Sequence, residues 1–289
     1  MNKMIKTYLG WAGNKTKLIP SILNISPKHE RLVEPFMGSG SFLLNRKSKH
    51  YLGADINEHL TDGYAFLQAE GLKFIDYVES FFTDENGTTD GYKRLREKFN
   101  YSDDKREKAA IFIFMNKHAF GSICRYNGKT GHFNVPPRQN LTLKKFPKQD
   151  LLNFYSRLEN CEIINQSFEK TFSMVKPGDL VYCDPPYLPE GDKSGTFTAY
   201  TKLDFNLEQH KLLVELAKES FSKFGVTTII SNHNSPLTQE LYKDATSLMS
   251  LSVYRSMGRY ENIQKDAKEV FAIYGEVKKE KQNEIISYS

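Results

Sequence analysis

Asp184-Pro185-Pro186-Tyr187 closes an apolar run, DLVYCD, and sets an acid, two stiff residues and an aromatic ring in four consecutive positions. That order suits chemistry on an amine conjugated with an aromatic ring, whose delocalised lone pair makes it a poor nucleophile. A carboxylate accepting one N–H, and a backbone carbonyl accepting the other, would hold the nitrogen nearer tetrahedral geometry. The lone pair would then point at an electrophile. Pro185 supplies a carbonyl without a competing N–H, and paired prolines stiffen the loop. Tyr187 can stack on a base drawn out of a helix. Taken alone, the tetrapeptide also fits a strand ending in a proline-rich turn, with Tyr187 merely packed.

A second constellation lies upstream. Glu34 to Ser41, EPFMGSGS, follows a predicted strand, and Gly38 and Gly40 let the backbone turn sharply beside a ligand. Asp55 ends the next predicted strand, where a carboxylate can accept hydrogen bonds from both hydroxyls of a ribose. The third glycine of a dinucleotide fingerprint and the lysine of a phosphate loop are both missing. What remains is a nucleoside ligand that needs no pyrophosphate cradle, and S-adenosylmethionine fits that description. A G-x-G turn by itself is often only a turn.

These residues need a sheet to position them. Short segments rich in β-branched and aromatic residues read as buried strands: 31–36, 50–55, 161–166, 179–184, 225–232, 250–256 and 270–275. Helical patterns separate the early ones, and residues 206–225 have the apolar spacing of an amphipathic helix ending in glycine. The alternation predicts a mostly parallel, doubly wound α/β sheet. The middle breaks that rhythm. From about 57 to 150 helical patterns dominate, and Asn127-Gly128 suggests a hairpin or compact loop near 118–137. This stretch reads as an inserted domain, with residues 1–56 and 151–289 forming the scaffold.

Composition sets the outer bounds. The 289 residues carry 39% apolar side chains and a formal charge of +5, compatible with a nucleic-acid partner without demonstrating one. Cys124, Cys161 and Cys183 are odd in number and widely spaced, which argues against a disulfide framework or a zinc site. No apolar run approaches the roughly 20 residues of a membrane span. A soluble cytoplasmic protein is the expectation, and the lysine-rich tail after Val277 reads as frayed and solvated.

Together the motifs resemble the Dam-type N6-adenine DNA methyltransferases of the α arrangement. Trp11-Ala12-Gly13-Asn14-Lys15 is similar to that family's amino-terminal cofactor motif, Glu34 to Gly40 to its F-x-G-x-G loop, and Asp184 to Tyr187 to its D-P-P-Y. The insert lies between the last two, in the order that defines the arrangement. Residues 121–136 of the insert, Gly195 to Tyr200, and Ser231-Asn232-His233 extend the likeness over nearly the whole chain.

The resemblance implies a Rossmann-like, S-adenosylmethionine-dependent methyltransferase sheet carrying a mostly helical DNA target-recognition domain. It implies cofactor contacts from Trp11, Lys15, Phe36, Gly38, Gly40, Asp55, Ser167, Phe168 and Asp184. Lys15 would neutralise the methionine carboxylate or order the loop, and Phe168 would pack on the cofactor adenine. Double-stranded DNA is the implied partner, with no membrane or obligatory protein partner. Arg125 matches an arginine that reads guanine, which a bidentate guanidinium does well. Phe120 matches an aromatic wedge where the target adenine leaves the stack. Ile123, Asn134 and Arg138 complete the implied DNA contacts.

Two departures bear on selectivity for GATC. Gly10 stands where close relatives carry a lysine that helps read the first base, and Gly121 replaces an asparagine beside the wedge. Three rivals stay open at this level. A C5-cytosine methyltransferase would need a nucleophilic cysteine, usually after proline, whereas Cys183 follows Tyr182. An RNA or protein-glutamine methyltransferase uses related tetrapeptides such as Asn-Pro-Pro-Tyr. A catalytically silent DNA-binding module could keep the fold.

Overall fold

The structure is a computed structural model that describes residues 4–11, 13–188, 205–254 and 266–277. Ala12, Gly195 to Tyr200, Arg255 and Ser256 of the sixth predicted strand, and the tail after Val277 lie outside the described residues. Each of the seven predicted segments forms a strand: β1 (Arg31–Glu34), β2 (His50–Asp55), β3 (Cys161–Asn165), β4 (Asp179–Cys183), β5 (Thr227–His233), β6 (Ser247–Tyr254) and β7 (Asp266–Tyr274). Among the described residues they make one sheet, ordered β3-β2-β1-β4-β5-β7-β6. β1 to β5 run parallel, and β7 lies antiparallel to both β5 and β6. β1 stops two residues short of the predicted end, because Pro35 has no N–H to continue the ladder.

The fold is α/β, and strand order reverses between β1 and β4. In sheets of this kind ligands bind outside the carboxyl ends of the strands, at such a switch point. Period-2 alternation divides the apolar side chains between two faces. Val33, Leu52, Val181 and Ile230 pack with α8 (Phe168–Phe172) and α9 (Leu207–Phe224). Leu32, Tyr51, Tyr182 and Ile229 face the other way, toward α1 (Ile19–Ile25) and α2 (Ser41–Asn45). α9 starts on a capping box between Asn206 and Gln209 and ends at Gly225, the glycine expected to stop it.

The insert supplies α3 (Glu58–Glu70), α4 (Leu72–Glu79), α5 (Thr89–Tyr101) and α6 (Lys105–His118), with α7 (Lys148–Tyr155) leading back to β3. Asp104 caps α6 by accepting from the Arg106 and Glu107 N–H groups. The run Ala109 to Asn116 is buried on every side, as befits the central helix of a bundle. Leu60, Tyr64 and Leu67 of α3 join the same apolar cluster as Leu32 and Tyr51, so insert and sheet share one core.

The stretch expected as a hairpin near 118–137 is a compact loop with isolated bridges, Ala119 to Pro137 and Tyr126 to Phe133. Asn127-Gly128 does not form the tight glycine turn. The Asn127 side chain instead accepts from Lys129 N at 2.9 Å and Thr130 N at 3.0 Å, and Gly131 takes the left-handed position at φ 69°.

Candidate active site

The carboxyl edge gathers the loops that follow β1, β2, β3, β4 and β5. At the centre Asp184 follows β4 directly. Its Oδ1 lies 3.0 Å from the Lys15 ammonium and accepts the Ser231 hydroxyl at 2.9 Å. Burial lifts the Asp184 carboxyl above the usual carboxylate range, while Lys15 and Ser231 pull it back down. A carboxylate so placed stays a capable proton acceptor. Tyr182 donates in turn to Ser231 at 3.2 Å, so the serine hydroxyl is fixed from both sides.

The two prolines carry the chain past this acid. Pro186 O accepts from His210 Nε2 at 3.1 Å. Burial pushes His210 down to about 4, so the ring is neutral and the nitrogen facing the carbonyl bears the proton. Among the described residues no donor sits on Pro185 O. Tyr187 lies beyond, its hydroxyl donating to Glu269 Oε2 at 3.2 Å and its ring meeting His233 edge-on with centroids 4.5 Å apart. The Lys15 ammonium stands 4.7 Å from the Tyr187 centroid. Thus Lys15, Asp184 and Tyr187 converge within one small volume.

The glycine loop between β1 and α2 forms the neighbouring wall. Gly38 has φ 47° and Gly40 φ 69°. A Cβ on Gly38 would lie 3.0 Å from Trp11 Nε1, and one on Gly40 would lie 2.6 Å from Phe154. Both positions therefore need glycine for conformation and for space. Asp55 orders this loop, since Oδ2 accepts from Gly38 N at 3.0 Å and Oδ1 from Asn57 N at 2.9 Å. Burial raises its carboxyl to about 6, with the backbone N–H groups opposing the rise. Each oxygen keeps further acceptor capacity for a ligand hydroxyl.

Phe36 and Phe168 stack at 5.5 Å with planes 24° apart, and Phe205 meets both edge-on. Ser167 stands at the amino end of α8 beside them, its carbonyl accepting from Thr171 N at 3.1 Å. The edge thus offers an acid, an aromatic cluster and a buried cation in sequence, a set matched to a ligand with ribose, adenine and carboxylate parts.

The insert brings its tip to the same side. Phe120 is 55% exposed, unusual for so large an apolar ring, while Ile123 is half-buried against the core. Arg125 Nε donates to Asn134 Oδ1 at 2.7 Å, and Asn134 N donates to Arg125 O at 3.1 Å, so the two implied DNA contacts hold each other. Arg138 turns inward instead, with Nε on Ala119 O at 3.1 Å and Nη2 on Ser122 Oγ at 2.8 Å.

A family model of D12 class N6 adenine-specific DNA methyltransferases matches residues 11–257. The chain belongs to this family. A DNA adenine methylase of Vibrio cholerae serotype O1 is 36% identical over 245 residues, covering 84% of this chain and 87% of its own. One from Escherichia coli K12 is 34% identical over 274 residues, covering 94% and 96%. A solved chain described as a methyltransferase in complex with SAH aligns over 94% of this chain and 55% of its own, at 11% identity and a TM-score of 0.37, too loose a likeness to define a fold.

As a D12-class enzyme the protein methylates N6 of adenine in DNA. The cysteine chemistry of C5-cytosine methylation has no place in it: Cys183 is fully buried, and burial holds its thiol well above the usual range. No helix among the described residues is long and apolar enough to cross a membrane.

Several residues of this D12-class site were not legible as such. Ser231 lies in the Ser231-Asn232-His233 stretch, but nothing in that tripeptide points at Asp184. Glu269 gives a faint signal as a carboxylate entering an apolar strand, and it pairs in register with His233. His210 and Phe205 come from the start of α9 and the residue before its cap, where helical patterning was the only message.

Proposed function

We propose that this enzyme methylates adenine within GATC in double-stranded DNA, taking the methyl group from S-adenosylmethionine after the adenine has left the helix. The observation that carries the reading is Asp184 on its Lys15 and Ser231 supports, with Pro185 O beside it and Tyr187 next in the chain. When bound, S-adenosylmethionine supplies an electrophilic sulfonium methyl. Asp55 accepts the ribose hydroxyls, Phe36 and Phe168 offer apolar surface to the adenine, and Trp11, Gly38, Gly40 and Ser167 shape the walls.

For the target base, Asp184 accepts one N6–H and Pro185 O the other. The nitrogen's lone pair is released from the ring and aimed at the methyl carbon. Asp184 and Pro185 O hold the amine while bound S-adenosylmethionine would give up its methyl to N6, the C–S electron pair staying on sulfur. The amine proton, acidic only at that stage, passes to Asp184. Pro186 holds the carbonyl geometry through His210, and Tyr187 stacks on the extruded base. Positioning and a pre-arranged acceptor pair supply most of the rate.

Residues 57–150 serve as the target-recognition part. Phe120 fills the gap left by the adenine, Arg125 reads a guanine with its plane set by Asn134, and Ile123 packs on a base edge. Arg138 acts here by holding the 119–122 turn. The deciding experiment is to express the chain in bacteria lacking adenine methylation and map N6-methyladenine across the genome. Methylation at GATC supports the full reading. Methylation at GATC with near-cognate sites assigns a consequence to Gly10, and methylation elsewhere overturns the assigned sequence.

A further inference from the structure

The recognition turn and the cofactor-side segment meet at one buried amide. Asn116, in the last turn of α6, is 1% exposed. Its Oδ1 accepts from Gly10 N at 2.8 Å, and its Nδ2 donates to Gly10 O at 2.8 Å and to Ser122 O at 3.3 Å. The side chain thus pairs with Gly10 as a neighbouring strand would, across 106 residues of sequence. It also grips the turn that carries Phe120 and Ile123.

The packing at this junction leaves no slack. A Cβ on Gly10 would lie 2.6 Å from both Ser122 Cβ and Ser122 Oγ. Ser122 itself sits at φ 54°, locked by the Arg138 bond to its hydroxyl. On the other side of Gly10 the chain runs directly into Trp11, which leans on Gly38 of the glycine loop, and on to Lys15 at Asp184. Asn116 is thus a direct hydrogen-bonded link between the turn and the segment that runs into Trp11 and Lys15.

We propose that Asn116 is a positioning residue that links DNA binding at the 120–125 turn to methyl-donor binding at Trp11 and Lys15. The inference rests on the functional reading above. The linkage must be reciprocal, each ligand tightening the other by the same factor. Loss of the amide would leave the half-buried Gly10 N–H and carbonyl without their partner, so the segment would shift to find others.

The test measures the dissociation constant of a short GATC duplex with and without saturating S-adenosylhomocysteine, and that of S-adenosylhomocysteine with and without duplex. The wild type should show a tightening of at least about fivefold, the low end of ordinary site coupling. Asn116→Ala should bring that ratio toward one while largely keeping each ligand's affinity measured alone. Gly10→Ala, which attacks the junction from the other side, should do the same, and adding Ser122→Gly to it should restore the ratio by making room. Should Asn116→Ala not fold, the Gly10→Ala pair decides the matter.

A ratio near one in the wild type, or an unchanged ratio in both single variants, overturns the linkage. If the wild type binds both ligands and methylates GATC while coupling is unaffected, only the linkage falls. If it binds neither ligand, the functional reading falls with it.

Discussion

The carboxyl edge of the sheet and the tip of the insert do different jobs with different construction. At the edge Phe36, Asp55, Phe168, Asp184 and Tyr187 sit within a few residues of a strand end, Lys15 comes from the amino-terminal segment, and side chains hold one another: Lys15 and Ser231 on Asp184, Glu269 on Tyr187. At the tip no regular strand is present, and, beside the Arg125–Asn134 and Arg138–Ser122 pairs, most pins run from side chain to backbone. Asn100 pairs with both the N–H and the carbonyl of Phe133, and Tyr92 and Arg96 both donate to Val135 O. His118 takes the Lys144 N–H on Nε2. A loop pinned through its backbone can change its outward side chains without losing its shape. A catalytic edge pinned through side chains cannot.

That contrast can be broken most sharply at the edge. Asp184→Ala should lower single-turnover methylation by at least about 10³-fold, the scale of losing a preorganised polar group. Duplex affinity should change little, because DNA is held mainly elsewhere. An active Asp184→Ala enzyme would show that the edge does not do the chemistry.

A sharper probe is Ser231→Ala. The hydroxyl helps to keep Asp184 ionised, so its loss should reduce turnover by about tenfold at the acid end of the profile, the scale of one lost hydrogen bond to a charged group. It should also move the acid limb of the pH–rate profile upward. An unmoved limb would mean that Lys15 alone sets the charge state.

At the tip, Arg125→Ala should relax discrimination at one base pair by about 1–3 kcal/mol. Asn134→Ala should relax it less, since it frees only the guanidinium plane. Methylation of cognate and singly substituted duplexes measures both, and equal loss on every sequence would make Arg125 a phosphate contact. Phe120→Ala, at an exposed position, should leave thermal stability within about 0.5 kcal/mol while slowing methylation of duplex more than of single-stranded substrate.

The smallest effect separates binding from stability at Asp55. Its carboxyl sits at about 6 in the fold against 3.8 for an ordinary aspartate. Between those values the folded chain holds the extra proton, so this group's contribution to stability falls as pH rises through the window. Donor binding needs the carboxylate and runs the other way, weakening by about tenfold per unit as pH drops below 6. Calorimetric titration with S-adenosylhomocysteine across this range checks it; flat affinity down to pH 5 would remove Asp55 from the ribose.

The sheet was legible because its strands are short β-branched runs bounded by turn residues, and because Asp55 and Asp184 stand where those runs end. α6 was legible from its length, though seven apolar or aromatic residues in near succession would also suit a strand; the Asp104 cap decides it. The tip was harder. Asn127-Gly128 carried the local signal for a tight turn, yet the Asn127 side chain spends itself on two later N–H groups and defers closure to Gly131. The resemblance put Arg138 among the DNA contacts, and only the fold reveals that its guanidinium also donates to Ala119 O and Ser122 Oγ. The roles of Ser231, Glu269 and Asn116 were not legible for one common reason. Their partners lie 47, 82 and 106 residues away, and no local pattern records such pairings.

The core shared by α3, α6 and the sheet has a consequence for anyone wishing to re-target the enzyme. The insert is not a cassette: excising residues 57–150 would take Leu60, Tyr64, Leu67 and the buried run of α6 out of the core they share with α1, α2 and the sheet. Grafting a foreign specificity should succeed only when the donor piece is cut inside the pins, between Ala119 and Pro137, whose bridge already brings the two ends together.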